Sequence, residues 1–248
     1  MLRGLNFRLK PEATRSIYSY RSESTKMRLL IIGYGRMGKM VEALSPEFGM
    51  EIAGRIDVDN VTDEWPDADV AIDFSAADAV PANARRLGAR GTDIVIGTTG
   101  WGAHEAEVRR EVKARGIGVV SAPNFALGVN LFVALAERAA ELMKPHAGFG
   151  AWIHEAHHAA KRDAPSGTAL LLETAMRDLG FDRGIDVSST RAGFIPGTHT
   201  VGFDAAGETI TLTHTARDRS GFARGALEAA RWVHGRKGWF TMKDVLGL

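Results

Sequence analysis

From residue 27 onward the chain alternates short apolar runs with stretches whose apolar residues recur every third or fourth position. The runs at 28–32, 50–56, 70–74, 93–96 and 117–120 read as strands, and the segments at 37–44, 77–87 and 104–115 read as helices. Strand and helix alternating in this way predict an α/β class fold, a doubly wound parallel sheet with helices on both faces. A helix rich in alanine and leucine follows, beginning near Val129 and ending before Pro145. Beyond it the texture changes to a strand at 149–158, a helix over 167–179 and β-rich segments at 186–191, 198–203 and 209–214. This part is expected to be a second domain of α+β type with an open mixed sheet. A last helix over 222–234 is expected to return to the first domain.

Residues 1–26 carry Arg3, Arg8, Lys10, Arg15, Arg21 and Lys26 against Glu12 and Glu23, with no apolar period. They read as a leader or tail outside the core. Either they stem from an upstream start, since Met27 would itself serve as one, or they are an organelle transit peptide. On both readings they are expected to be dispensable for folding and catalysis.

Composition narrows the class. With 45% hydrophobic and 25% charged residues the chain is neither disordered nor fibrous. Its 31 basic and 30 acidic residues give a formal charge of +1, so no global field draws it to nucleic acid or anionic lipid. Any anion site has to be built locally. There is no cysteine, which removes disulfides, thiolate nucleophiles and iron–sulfur clusters and points to a reducing compartment, with a cytoplasmic location expected. The apolar stretch 129–143 is interrupted by Glu137 and Arg138 and falls short of the ~20 residues of a membrane span.

The chemistry concentrates in two places. Gly33-Tyr34-Gly35-Arg36-Met37-Gly38 follows the first strand and opens a helix, the context in which G-x-G-x-x-G cradles a pyrophosphate at a helix N-terminus. Met37 sits inside that turn, and Arg36 adds charge compensation. Asp57 ends the next strand, 19 residues after Gly38, where a carboxylate accepts hydrogen bonds from an adenosine ribose. These features make the first unit a Rossmann-type, dinucleotide-binding domain. Other strand ends carry Asp73-Phe74-Ser75, Gly97-Thr98-Thr99-Gly100 and Ala122-Pro123-Asn124-Phe125, a lined crevice with Gly97 to Thr99 placed to hold a nicotinamide ring. The same Asp57 charge would repel a 2′-phosphate, and Val58 and Asp59 offer no clamp for one. NADH is therefore the expected cofactor, with NADPH use limited by how far Arg55 or Arg36 reaches.

The second place is the run from His154 to Thr168. His157, His158, Lys161 and Arg162 form a cationic cluster, and Ser166 is the expected N-cap of the helix that Gly167 and Thr168 open. A free helix start beside basic side chains is a carboxylate site. His154-Glu155-Ala156-His157-His158 also satisfies H-E-x-x-H, but that zinc motif requires a helix, and Gly148, Gly150, Trp152 and Ile153 argue for a strand. No metal is expected.

Across residues 27–248 the sequence resembles the dihydrodipicolinate reductase family. The pattern E-A-H-H-x-x-K-x-D-A-P-S-G-T-A is complete from Glu155 to Ala169. It is supported by Gly35 to Gly38, Asp73 to Ser75, Gly97 to Gly100, Asn124-Phe125, Gly128 to Asn130, Pro196 to Thr198, and Arg219 with Phe222-Ala223. Ala126 stands where many relatives carry serine, the glycine loop is one residue shorter than in many of them, and the segment from Arg191 to Pro196 is short.

The resemblance implies the reduction of 4-hydroxy-tetrahydrodipicolinate, a cyclic imine dicarboxylate, in the diaminopimelate route to lysine. It implies Lys161 as proton donor with His157 assisting, and His158 and the Gly167-Thr168 backbone as carboxylate binders. The nicotinamide would face Gly97, Thr98 and Thr99 and the segment holding Ala122, Asn124 and Phe125. It also implies a homotetramer joined through the second domain's sheet. The expected division is 27–126 with 221–248 for the dinucleotide, and 127–220 for substrate binding and oligomerisation. The rivals are another two-domain nicotinamide oxidoreductase and a nucleotide-sensing binder without turnover.

Overall fold

The computed structural model describes residues 26–60 and 64–248. The leader read at residues 1–26 lies outside the described residues except for Lys26. Strands β1 (Met27–Ile32), β2 (Met50–Ile56), β3 (Val70–Asp73), β4 (Asp93–Ile96), β5 (Gly118–Ser121) and β10 (Gly238–Phe240) form one sheet in the order β10-β5-β4-β3-β1-β2. Every pairing in it is parallel. Strand side chains alternate between faces, so the apolar runs feed two cores. Leu29, Ile31, Val70, Ile72 and Val95 pack against α1 (Arg36–Leu44) and α6 (Ser220–Val233). Leu30, Ile32, Ala71, Ile94 and Ile96 pack against α2 (Val80–Ala89) and α3 (Glu105–Arg115). Burial on both faces is why these strands read as continuous apolar runs rather than alternating ones.

The order places β1 between β2 and β3, so the connections leaving β1 and β3 diverge to opposite sides of the sheet. Such a switch point opens a crevice at the carboxyl ends of the strands. The turn from β1 to α1 stands in that crevice.

The second sheet has the order β7-β6-β8-β9, from β6 (Gly150–His157), β7 (Ile185–Arg191), β8 (Thr198–Ala205) and β9 (Glu208–Thr215). The β6–β7 pair is parallel and the other two are antiparallel. A parallel pair needs a long crossover, which α5 (Gly167–Asp178) supplies. One face, with Ala151, Ile153, Val201 and Phe203, buries against Phe132 and Ala136 of α4 (Leu127–Met143) and Leu172 and Met176 of α5. The expected fold class is thus the observed one. The sequence reading did not contain β10 and α7 (Met242–Leu246), which complete the first sheet's edge and cap its core through Met242.

Candidate active site

At the end of β1, the Gly33 amide donates to the Ile56 carbonyl at 2.8 Å, tying the glycine turn to the end of β2. Gly38 lets α1 lie directly on this turn, since a Cβ there would stand 2.3 Å from the Gly33 carbonyl oxygen. Gly35 is the N-cap of α1 and offers no side-chain acceptor, so the first amides of the helix remain available to an anion. Gly33, Gly35, Arg36, Met37, Gly38, Gly97, Thr98 and Thr99 line one cavity of about 290 Å³ together with Phe74, Ser75 and Arg219. An open helix start walled by glycines and an arginine fits the pyrophosphate of a dinucleotide.

A buried carboxylate braces two of the residues that line that cavity, Ser75 and Thr98. Asp73, 1% exposed, accepts from the Ser75 amide at 2.9 Å, the Ser75 hydroxyl at 2.6 Å, the Thr98 hydroxyl at 3.0 Å and the Asn83 amide at 2.9 Å. Ala122, Asn124 and Phe125 do not line the cavity. Ala122 and Phe125 are buried in the core, and Asn124 braces the entry to α4 by accepting from the Ala126 amide at 2.8 Å. Asp57 stands just past β2 and accepts from the Val58 amide at 2.9 Å. Phe74 and Ser75 line the cavity as the strand-end reading expected, whereas Arg219 was not given a site role, and only the spatial return of α6 brings it here.

The second cluster is organised around Glu155. On β6, Glu155 alternates in step with Ala151 and Ile153 and so lies on the helix-covered face, fully buried. Its Oε1 accepts from Arg191 at 2.6 Å and from the Ser166 amide at 3.2 Å, and its Oε2 accepts from Arg191 at 2.9 Å and from His157 Nδ1. Burial pushes this carboxyl upward, yet the bonds from Arg191, Ser189 and His157 outweigh it and hold it at about 2. An ionised carboxylate only accepts, so Nδ1 of His157 carries a proton and Nε2 is the nitrogen left for chemistry. Gly197, at φ +132°, brings the loop before β8 against that ring, and a Cβ there would stand 3.1 Å from Nε2.

Lys161 donates to both oxygens of Asp163 at 2.6 and 2.8 Å. Asp163 in turn is held below the ordinary carboxylate range, chiefly by this bond. Ser166 is the N-cap of α5, its hydroxyl accepting from the Ala169 amide at 3.3 Å. Gly167 and Thr168 then present the free amides of the first turn. Through Glu155, His157 at the carboxyl end of β6 is tied to the start of α5, and His158 and Lys161 follow in the loop between them. None of them lines the glycine-walled cavity.

His154 points to the other face of β6, toward Ser188 at 3.0 Å, so the H-E-x-x-H pattern does not assemble as ligands. Glu155, His157 and His199 do bring three ligand atoms within 4.8 Å of one another. Arg191 already occupies both oxygens of that carboxylate, which sets a fixed positive charge where a cation would bind.

His199, 5% exposed, bonds the Ser166 hydroxyl at 2.9 Å. Burial first, and the neighbouring His157 second, push it down to about 4. The folded state thus keeps His199 neutral where the unfolded chain, near pH 6.5, takes up a proton. Its contribution is present above pH 6.5 and lost as pH falls toward 4, by about 3 kcal/mol. Unfolding curves of the unmodified chain and of His199→Gln between pH 7 and 4 are expected to show the steeper loss in the former; parallel curves would remove His199 from the acid response.

The matches to known proteins cover nearly all of the described region. A family model described as "Dihydrodipicolinate reductase, N-terminus" matches residues 27–125, and one described as "Dihydrodipicolinate reductase, C-terminus" matches residues 128–246. A protein of Christiangramia forsetii named 4-hydroxy-tetrahydrodipicolinate reductase is 36% identical over 233 residues, 89% of this chain and 98% of its own length. One of the same name from Rhodopseudomonas palustris is 38% identical over 271 residues, 90% of this chain and 98% of its own length. Among solved structures, a dipicolinate-bound dihydrodipicolinate reductase from Paenisporosarcina sp. TG-14 superposes with a TM-score of 0.74 at 22% identity, over 88% of this chain and 98% of that one, a likeness of fold. With both halves matched in order and relatives aligned nearly end to end, the chain belongs to the dihydrodipicolinate reductase family.

Proposed function

We propose that this chain reduces 4-hydroxy-tetrahydrodipicolinate to tetrahydrodipicolinate with a reduced nicotinamide nucleotide, a step of the diaminopimelate route to lysine. The reading rests on family membership. What supports the named residues is the tie, through Glu155, of His157 to the start of α5, with His158 and Lys161 in the loop between them. A cyclic dicarboxylate needs positive potential twice, to bind its two negative charges and to stabilise electron density moving onto the ring nitrogen.

With its pyrophosphate on the glycine turn, a reduced nicotinamide nucleotide would supply the hydride. The chain's own residues do the rest. Gly33, Gly35, Arg36, Met37 and Gly38 hold the pyrophosphate, and Gly97, Thr98 and Thr99 hold the nicotinamide, with Ala122, Asn124 and Phe125 shaping the strand end behind it. His158 and the Gly167 and Thr168 amides bind the substrate carboxylates. Lys161 Nζ holds the proton to be delivered, and His157, fixed by Glu155, assists through Nε2. Coupling the chain to the preceding synthase, so that substrate forms in situ, and following NADH absorbance tests this. Turnover is expected, and nucleotide binding without turnover would make the chain a sensing module instead.

The proposed division is 27–126 with 221–248 for the dinucleotide and 127–220 for substrate and assembly. Homotetramerisation through the second sheet is supported by its bare face. There Thr198 and Thr215, and Thr200 and Thr213, pair hydroxyls at 3.0 Å in the open. Among the described residues no helix is long and apolar enough to cross a membrane, and the proposed location is the cytoplasm.

NADH is the proposed preferred cofactor. Two unit charges about 4 Å apart at an effective dielectric of about 20 interact by roughly 4 kcal/mol before screening, and a third of that is about tenfold. With Asp57 facing the ribose, kcat/KM is expected to favour NADH over NADPH by about tenfold or more, and Asp57→Ala with Val58→Arg to narrow the ratio. Equal use of the two cofactors by the unmodified chain would remove Asp57 from cofactor selection.

A further inference from the structure

Lys161 stands in the loop that joins β6 to α5, and that loop is tied to the exit of β7 on either side of it. The Ala159 amide donates to the Gly193 carbonyl at 3.1 Å, and Arg191 Nη2 donates to the Asp163 carbonyl at 2.6 Å. Asp163 is also the residue whose carboxylate takes the Lys161 ammonium. The same Nη2 donates to Glu155 Oε1 at 2.6 Å, while Nη1 donates to Glu155 Oε2 at 2.9 Å and to the Thr190 carbonyl at 2.7 Å. Glu155 in turn accepts from His157 Nδ1. Both terminal nitrogens of Arg191 are thus spent within the protein, two bonds each, and none of their N–H groups is left for a substrate. Its Nε is buried and has no partner among the described residues. A lysine could balance the Glu155 charge without such an orphaned donor, so what the guanidinium adds is its second reach, to Asp163.

We infer that Arg191 is a positioning residue for Lys161: by forking between the Glu155 carboxylate and the Asp163 carbonyl, it fixes the loop that carries the ammonium to the carboxylate that orients His157. The chemistry follows from the shape of the group. A planar guanidinium holds two acceptors at a set distance and angle, whereas an ammonium on a flexible stem is a point charge without that fork. The Arg191 side chain is 17% exposed and Glu155 is fully buried, so water competes little for these bonds. Misplacing a reacting group by about 1 Å costs about a hundredfold in rate. The loop needs to shift by only a fraction of that for Lys161 to lose most of its effect.

The inference rests on the reading of Lys161 as proton donor with His157 assisting. Arg191→Lys keeps a positive charge opposite Glu155 and gives up the fork. Melting curves, nucleotide titration and steady-state kinetics with in situ substrate are measured on it and on the double variant with Lys161→Ala. Arg191→Lys is expected to stay folded and to keep its nucleotide affinity within about twofold, while kcat falls by about thirtyfold. Added to Lys161→Ala, the same substitution is expected to cost less than about threefold more, because a positioning residue then has nothing left to position. Full turnover in Arg191→Lys overturns the inference, since charge alone then suffices. A loss equally large with Lys161 already removed also overturns it, by placing the effect elsewhere. So does a variant that no longer folds, which would make Arg191 a support of the buried pair. Lys161→Ala alone separates the underlying reading: if its turnover matches that of the unmodified chain, it is the assignment of the proton donor that has failed.

Discussion

Replacing Lys161 with alanine is expected to lower kcat by roughly 10² to 10⁴, the range for loss of a general acid, while nucleotide affinity stays within about twofold. The separation follows from the structure. Lys161 lies in the loop after β6 and does not line the glycine-walled cavity, so its loss removes nothing that a nucleotide touches. Its ion pair with Asp163 joins a lysine and an aspartate side chain that are 22% and 58% exposed. Such pairs contribute about 0–1 kcal/mol, and the variant is expected to fold. The measurement is steady-state kinetics with in situ substrate alongside nucleotide titration by fluorescence. A rise in KM with unchanged kcat would reduce Lys161 to a binding residue. Wild-type-like turnover would remove it from the mechanism. His157→Gln is expected to show the same pattern with a smaller loss.

Period and turn chemistry carried most of the fold, because both are local. The strands of the first sheet are buried on two faces and bounded by glycine or polar residues, so β1 to β5 are legible to within a residue or so. Ser166 was legible as an N-cap because Pro165 and Gly167 frame it. β10 was not, since three residues are too few to show a period. The site divides in the same way. His157, Lys161 and the helix start are contiguous in sequence, whereas Arg191 meets Glu155 only because the β6–β7 register sets His157 opposite Arg191. His199 likewise arrives through the antiparallel register that sets it opposite Glu155. Register between strands far apart in sequence leaves no local trace. One signal was present, however: the alternation Ala151, Ile153, Glu155 puts a carboxylate on an otherwise apolar face, and a buried carboxylate demands partners.

That demand sets the second large effect. Glu155→Gln keeps the side chain's shape but removes the charge and turns one acceptor into a donor, facing Arg191 or His157, which are themselves donors. Breaking a buried ion pair from one side leaves the remaining charge uncompensated and costs about 3–5 kcal/mol. The downward shift of Glu155 to about 2 gives a similar figure, about 3 kcal/mol, because the folded state prefers the ionised form more than the unfolded chain does. The sign is set by that direction. Glu155 stabilises the fold fully above the unfolded value of about 4.5, and the contribution disappears as pH falls from there toward 2. The variant is therefore expected to be less stable than the unmodified chain by about 3 kcal/mol at pH 7, with the gap closing between pH 4.5 and 2. Catalysis should suffer separately, because His157 loses the acceptor that fixes its Nδ1 proton and aims Nε2. At a temperature where the variant is still folded, kcat is expected to fall by about tenfold to a hundredfold with nucleotide affinity intact. Denaturant unfolding across pH, together with kinetics on the folded variant, reads the two effects independently. A stability gap that stays constant from pH 7 to 2 would mean that the Glu155 charge is not what holds this corner together.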